Sequence, residues 1–188
     1  MSFASENPFR TSRLLDLPAP TGAAEDEALL ARWRAAGRRG ALVGPHGCGK
    51  TARMRALAAR LATEGWRIVW ARWHDDGTTT PADWRAALRP VDARTLVCLD
   101  GLENLGPVAA YRLFRYTRRA GGRLATLHRP SWFWPTLARH APDEAVFVAH
   151  AVALAPACEP AARAAFAAAR GNAHEAFRRL YLDWASPF

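Results

Sequence analysis

Hydrophobic and polar positions along the chain follow two rhythms, and the switch between them falls at glycines and prolines. Short apolar runs over 39–43, 66–73, 95–100, 123–127 and 145–149 predict strands. Stretches with apolar residues three and four apart predict helices over 25–36, 51–64, 80–88 and 107–119, and a short helix over 136–140. In the first helix Leu29, Leu30 and Trp33 share a face, acids fill the first turn, and Gly37 ends it. In the second, Met54, Leu57, Ala58 and Leu61 fall at helical spacing. Thr80 and Pro81 open the third as cap and first residue. From Pro156 the chain changes character: an alanine-rich helix over 159–170, a Gly171-Asn172 break, and a helix over 173–184. Alternating strands and helices predict an α/β fold with a mostly parallel five-stranded sheet. The predicted division is an extended segment over 1–22, a core over 23–150 and a small helical segment over 151–188.

The most informative stretch joins the first strand to the second helix. Gly44-Pro45-His46-Gly47-Cys48-Gly49-Lys50-Thr51 fits G-x-x-x-x-G-K-[ST] in full, in the strand–loop–helix context that the pattern requires. Its three glycines let backbone N–H groups turn inward without a Cβ in the way, and those donors plus the helix N-terminus suit a polyphosphate. Lys50 would reach the β- and γ-phosphates of ATP and Thr51 the Mg²⁺ that bridges them. Of the chain's 26 basic residues, Lys50 is the one lysine and the rest are arginine. A compact ammonium fits inside such a loop where a planar guanidinium does not.

The run Thr95-Leu96-Val97-Cys98-Leu99-Asp100 has the form of a buried parallel strand with an acid at its tip. Asp100 is the candidate to order Mg²⁺, directly or through water. Glu103 is the nearest acid after it and the candidate to activate water, with a capping or surface role as the alternative. The loop His74-Asp75-Asp76-Gly77 follows the second strand at its carboxyl end, where ligands bind in open α/β sheets, and also reads as a solvated turn.

Composition narrows the class. With 188 residues, half of them hydrophobic, the chain can bury a sizeable core. No apolar run nears the ~20 residues of a membrane span, and no basic-then-apolar signal segment opens the sequence. Three dispersed cysteines, Cys48, Cys98 and Cys158, suit a reducing cytoplasm rather than a disulfide framework. The net charge of +9 favours polyanions, nucleic acid first among them. Four arginines within 112–119 give one helix a basic flank, which reads as a nucleic-acid or subunit contact or as a solvated face. Ser131-Trp132-Phe133-Trp134-Pro135 is an aromatic cluster for core packing or an exposed interaction edge.

Taken with the two phosphate-site motifs, the element order resembles the RecA-like core of the additional-strand P-loop ATPases, the AAA+ and STAND branches included. Leu99-Asp100-Gly101-Leu102-Glu103 resembles the Asp-Gly-x-acid form of NACHT-type STAND members, whereas many hydrolysing ATPases carry a glutamate where Gly101 stands. The resemblance implies Mg²⁺-dependent ATP binding and hydrolysis coupled to a change of shape, read out by a protein partner, self-association or nucleic acid. It implies that Thr126 or His128, at the end of the fourth strand, reports the γ-phosphate, and that Asn7-Pro8-Phe9-Arg10 lines an adenine pocket, a disordered tail being the alternative. It suggests Arg139, before the fifth strand, as an arginine finger. Gly171-Asn172-Ala173-His174-Glu175 resembles the lid stretch that carries a sensor arginine, with His174 in that arginine's place and Arg178 one turn on. Two other classes stay open: a nucleotide-gated binding module without turnover, and a small-molecule or nucleotide kinase.

Overall fold

Five short segments rich in buried aliphatic residues pair into one sheet in the computed structural model, which describes residues 7–10, 13, 14, 17, 22–73, 88 and 91–185. The elements in chain order are α1 (Ala23–Ala35), β1 (Arg39–Val43), α2 (Lys50–Thr63), β2 (Arg67–Arg72), β3 (Thr95–Asp100), α3 (Pro107–Tyr116), β4 (Gly122–Leu127), β5 (Thr136–Arg139), α4 (Glu144–Leu154), α5 (Glu159–Ala168) and α6 (Ala173–Ala185). Single 3₁₀ turns lie at Leu102–Asn104, Thr117–Arg119 and Pro156–Cys158. The sheet order is β2-β3-β4-β1-β5, and every pair is parallel. The chain divides into two compact units, Thr21–Gly44 with Arg53–Arg139, and Met1–Pro20 with Pro45–Ala52 and His140–Phe188.

In the sheet unit, β3 is buried at every position, as its uninterrupted apolar run requires. Alternate side chains feed opposite faces. Leu42, Leu96, Cys98 and Leu124 pack with Trp33 of α1 and Met54, Leu57 and Leu61 of α2. Val43, Val97, Leu99 and Leu127 pack with Leu113 of α3 and with Trp134. Helices on both faces make a three-layer α/β arrangement. Arg53 of α2, 4% exposed, ties the two helices of one face together through Glu25 and Asp26 of α1.

The helical unit has its own core. Phe147, Val148 and Ala151 of α4 meet Ala162 and Phe166 of α5 and Ala176 and Leu180 of α6. Phe147 stacks on Phe166 with ring centroids 5.0 Å apart. Phe9, 2% exposed, joins this core between Phe177 and Trp184. Asn7 fixes it there: its side-chain amide donates to the Tyr181 carbonyl at 2.8 Å, and its Oδ1 accepts from the Phe9 N–H at 2.9 Å. Residues 7–10 are therefore packed structure, not tail.

Two predicted elements exchange identity. Of residues 136–140, expected as a helix, Thr136–Arg139 form β5, and 145–149, expected as the fifth strand, lie inside α4. The run Ala145-Val146-Phe147-Val148-Ala149 is apolar all round, so periodicity could not separate a buried helix from a strand. The helix is set by Asp143, whose carboxylate caps it by accepting from the Val146 N–H at 3.1 Å, and by Glu144 in the first turn. β5 pairs with β1 across a register shift between Ala41 and Leu42. Arg139 thus sits in β5 opposite Val43 rather than on a helix before the fifth strand, which removes the positional argument for a finger. The predicted loop His74-Asp75-Asp76-Gly77 and the body of the predicted 80–88 helix lie outside the described residues. Among the described residues no helix is long and apolar enough to cross a membrane.

Candidate functional site

The glycine-rich loop begins where β1 ends. Gly44 is the last residue of the sheet unit in this stretch, and its N–H donates to the Leu127 carbonyl of β4 at 3.0 Å. Gly47 and Gly49 take φ of +71° and +85°, values that side chains rarely tolerate. At Gly47 space matters as well: a Cβ would lie 2.2 Å from Asn172 Oδ1 and 2.9 Å from the Ala173 N at the start of α6. Asn172 is itself the cap of that helix, accepting from the Glu175 N–H at 3.2 Å. Lys50 opens α2, is 7% exposed, and donates from Nζ to the Pro45 carbonyl at 2.7 Å. The ammonium is folded back into its own loop rather than spread over the surface. Pro45 and His46 are exposed. Cys48 is half-buried; burial pushes its thiol pKa up, partly offset by the Lys50 charge. Thr51 follows in the first turn of α2.

The tip of β3 is built differently, from side chains on three neighbouring strands. Asp100 Oδ1 accepts from the Thr126 hydroxyl of β4 at 3.0 Å, and Oδ2 accepts from Arg72 Nε of β2 at 3.0 Å. The Thr126 oxygen in turn accepts from the Gly101 N–H at 2.9 Å. Thr126 is 1% exposed, so its hydroxyl is committed to holding the carboxylate and the turn behind it. The Asp100 side chain is 11% exposed and Arg72 41%, so the ion pair opens to solvent on the arginine side.

Gly101 explains why no acid directly follows Asp100. It adopts φ +77°, and a Cβ there would lie 2.3 Å from the Trp73 carbonyl oxygen. The turn displaces the next acid to Glu103, in the 3₁₀ turn Leu102–Asn104. Glu103 Oε1 lies 2.9 Å from His128 Nε2, while its Oε2 is buried without a hydrogen-bond partner. Four expected site residues thus form two pairs in the sheet unit, Asp100 with Thr126 and Glu103 with His128. In the helical unit His174 is exposed, and Arg178 is engaged within its own helix by Glu175 at 2.9 Å.

Arg72 is the participant that sequence reasoning missed. Its signal was a charged residue at the end of a predicted strand, but only the β2–β3 register, Arg72 opposite Asp100, brings the two together. Asn172 was visible only as half of a Gly-Asn break. Among the described residues no three His, Cys, Asp or Glu side chains cluster as a metal site. Thr51 in the helical unit and Asp100 in the sheet unit each carry an oxygen donor of the hard kind that suits Mg²⁺. Neither a protein-family model nor a curated protein matches this chain.

Proposed function

We propose that the chain is an ATP-binding P-loop protein, a Mg²⁺-dependent ATPase of the additional-strand type that couples nucleotide binding or hydrolysis to partner interaction. One observation carries the reading. The chain's single lysine is folded into the glycine loop, 7% exposed on a backbone carbonyl, at the first residue of the helix that follows β1. A compact ammonium held inside its own glycine loop is placed to serve an anion rather than the surface. The sheet order gives a second support: β4 lies between loop-bearing β1 and acid-bearing β3, the inserted strand that the resemblance calls for.

In this reading Lys50 binds the β- and γ-phosphates, and the N–H groups of Gly47 to Thr51 bind alongside it. Thr51 would be a ligand for Mg²⁺, which would supply charge neutralisation on the phosphates when bound, and Asp100 is the acid of the sheet unit that would order it. Thr126 fixes the carboxylate that orders the metal. Arg72 competes for one oxygen of that carboxylate and is displaced or shares it when the cation arrives. Glu103 orients water through its unpartnered Oε2, and His128 holds the other oxygen.

A second reading, a nucleotide-gated module without turnover, is favoured by one feature. Gly101 excludes an acid directly after Asp100, and Glu103 is already paired with His128. Phosphate release from Mg·ATP by wild type and Glu103→Gln separates the two. Turnover that falls at least tenfold in the variant, with ATP binding retained, supports the ATPase; ATP binding with no release from wild type supports the gated module.

A further inference from the structure

Beside the turn that follows β3, the sheet unit carries an apolar groove of about 330 Å³. Tyr111 of α3 and the consecutive rings Trp132, Phe133 and Trp134 line it, over Leu102 and Leu127. A lone exposed aromatic residue needs no explanation. Here, however, Trp132 is 97% exposed and Tyr111 58%, on the rim of a preformed aromatic cleft.

The segments that carry Tyr111 and the three consecutive rings hold charge of one sign: residues 104–142 contain no acid. Arg112 and Arg115 are exposed on α3, next to Tyr111 and one turn beyond it, and Arg129 is exposed on the segment leading to Trp132. Arg39 lies over the Phe133 ring at 5.7 Å and over Phe114 at 5.9 Å, and Arg123 over Phe114 at 4.8 Å. Arg123 Nε and Nη1 are buried without a hydrogen-bond partner, and burial, then the Arg39 charge, hold its pKa down. No ion pair joins any of these five arginines to a carboxylate among the described residues.

We infer that this aromatic cleft binds single-stranded nucleic acid, with bases stacked on Trp132 and Tyr111 and phosphates held by the surrounding arginines. Stacking platforms beside unpaired basic side chains are the physical requirement for that ligand. A duplex hides its base faces and would leave the exposed indole unused. Leu102 lies between Asp100 and Glu103 in sequence and Leu127 between Thr126 and His128, so a bound base would press on both segments of the acidic pairs. The binding itself stands apart from the nucleotide reading; only a coupling to turnover rests on it.

The test is fluorescence anisotropy of labelled (dT)₂₀ and (rU)₂₀ with the full chain across a salt series. Wild type is expected to bind at least one oligomer, and Trp132→Ala to weaken it about tenfold. The double variant Arg112→Ala/Arg115→Ala should lower the salt slope by about 1.4, near 0.7 per lost phosphate contact on a single strand. All three substituted side chains are exposed, so circular dichroism should be unchanged. Which oligomer binds tighter distinguishes DNA from RNA as the source. Equal binding of a duplex, binding indifferent to Trp132→Ala, or retention of poly-glutamate in place of both oligomers overturns the inference. Lys50→Ala should bind the oligomer as wild type does, so failure of the nucleotide reading leaves this result intact.

Discussion

The loop after β1 and the tip of β3 carry the two stretches proposed to serve phosphate and its metal, and they are built by opposite means. The loop is held by its own backbone: positive φ at Gly47 and Gly49, and an ammonium returned to a carbonyl five residues earlier. The tip is held by side chains contributed from 28 residues before Asp100 and 26 after it. The loop collects hydrogen-bond donors, whereas the tip brings a carboxylate, a hydroxyl and a guanidinium together. A backbone-made loop tolerates change around it but not within it; a side-chain-made tip depends on each member to the degree that the member is buried.

The largest effect that sharpens this contrast is expected at the turn behind the tip. Gly101→Glu places an acid where many hydrolysing ATPases have one, yet it forces a side chain to φ +77° and against the Trp73 carbonyl. We expect a loss of about 3 kcal/mol or more in chemical unfolding. An unchanged midpoint would show that the turn is not fixed as described.

Next is Thr126→Val, which keeps the shape and removes the hydroxyl between Asp100 and the Gly101 N–H. A buried donor left unpaired costs about 1–3 kcal/mol. Stability and Mg·ATP affinity should fall together, because the carboxylate loses its anchor. Lost stability with unaltered Mg²⁺ dependence would separate Asp100 from the metal.

Arg72→Ala should matter less to the fold. The pair is 41% exposed on the arginine side, and screening holds its worth to about 1 kcal/mol or below. With the Arg72 bond to Oδ2 removed, the Mg²⁺ concentration needed for half-maximal nucleotide binding should drop severalfold. A requirement that rises instead would make Arg72 part of the nucleotide site rather than a competitor.

The smallest effect lies at the other end of β3. Asp92 accepts from the Thr95 hydroxyl at 2.7 Å and the Arg94 N–H at 2.9 Å, and these bonds, in that order, lower its pKa from the ordinary 3.8. A depressed carboxylate stabilises the fold above its ordinary pKa, and the contribution is lost as pH falls through the folded value. Asp92→Ala should therefore lower the melting temperature slightly near neutrality, and by less as the pH falls below the ordinary carboxylate range. A difference that persists undiminished in acid would assign the effect to something other than the charge.

The same contrast governs what the sequence disclosed. Glycine spacing and the lone lysine are local, so the loop was readable, and the apolar run to Asp100 gave β3 at its full length. Four of the five strands were expected where they lie; the fifth was expected at 145–149, which is apolar on every side and helical, whereas 136–139, expected as helix, pairs with β1. Asp100 was legible as a carboxylate at a strand tip. Its partners Arg72 and Thr126 reach it only through the β2–β3–β4 register, which no local pattern encodes; Thr126 was noticed as polar, without its bond. Gly101 appeared as a departure from a pattern, and the Trp73 carbonyl beside it supplies the reason.

The measurement that bears most directly on the central claim is Mg·ATP binding by calorimetry to wild type, Lys50→Ala and Lys50→Arg. The account predicts wild-type binding, a loss of about 2–3 kcal/mol in Lys50→Ala from the missing charge-assisted bonds, and little recovery in Lys50→Arg, since the planar group does not fit the loop. Affinity unchanged in Lys50→Ala, or no nucleotide binding by folded wild type, would contradict it.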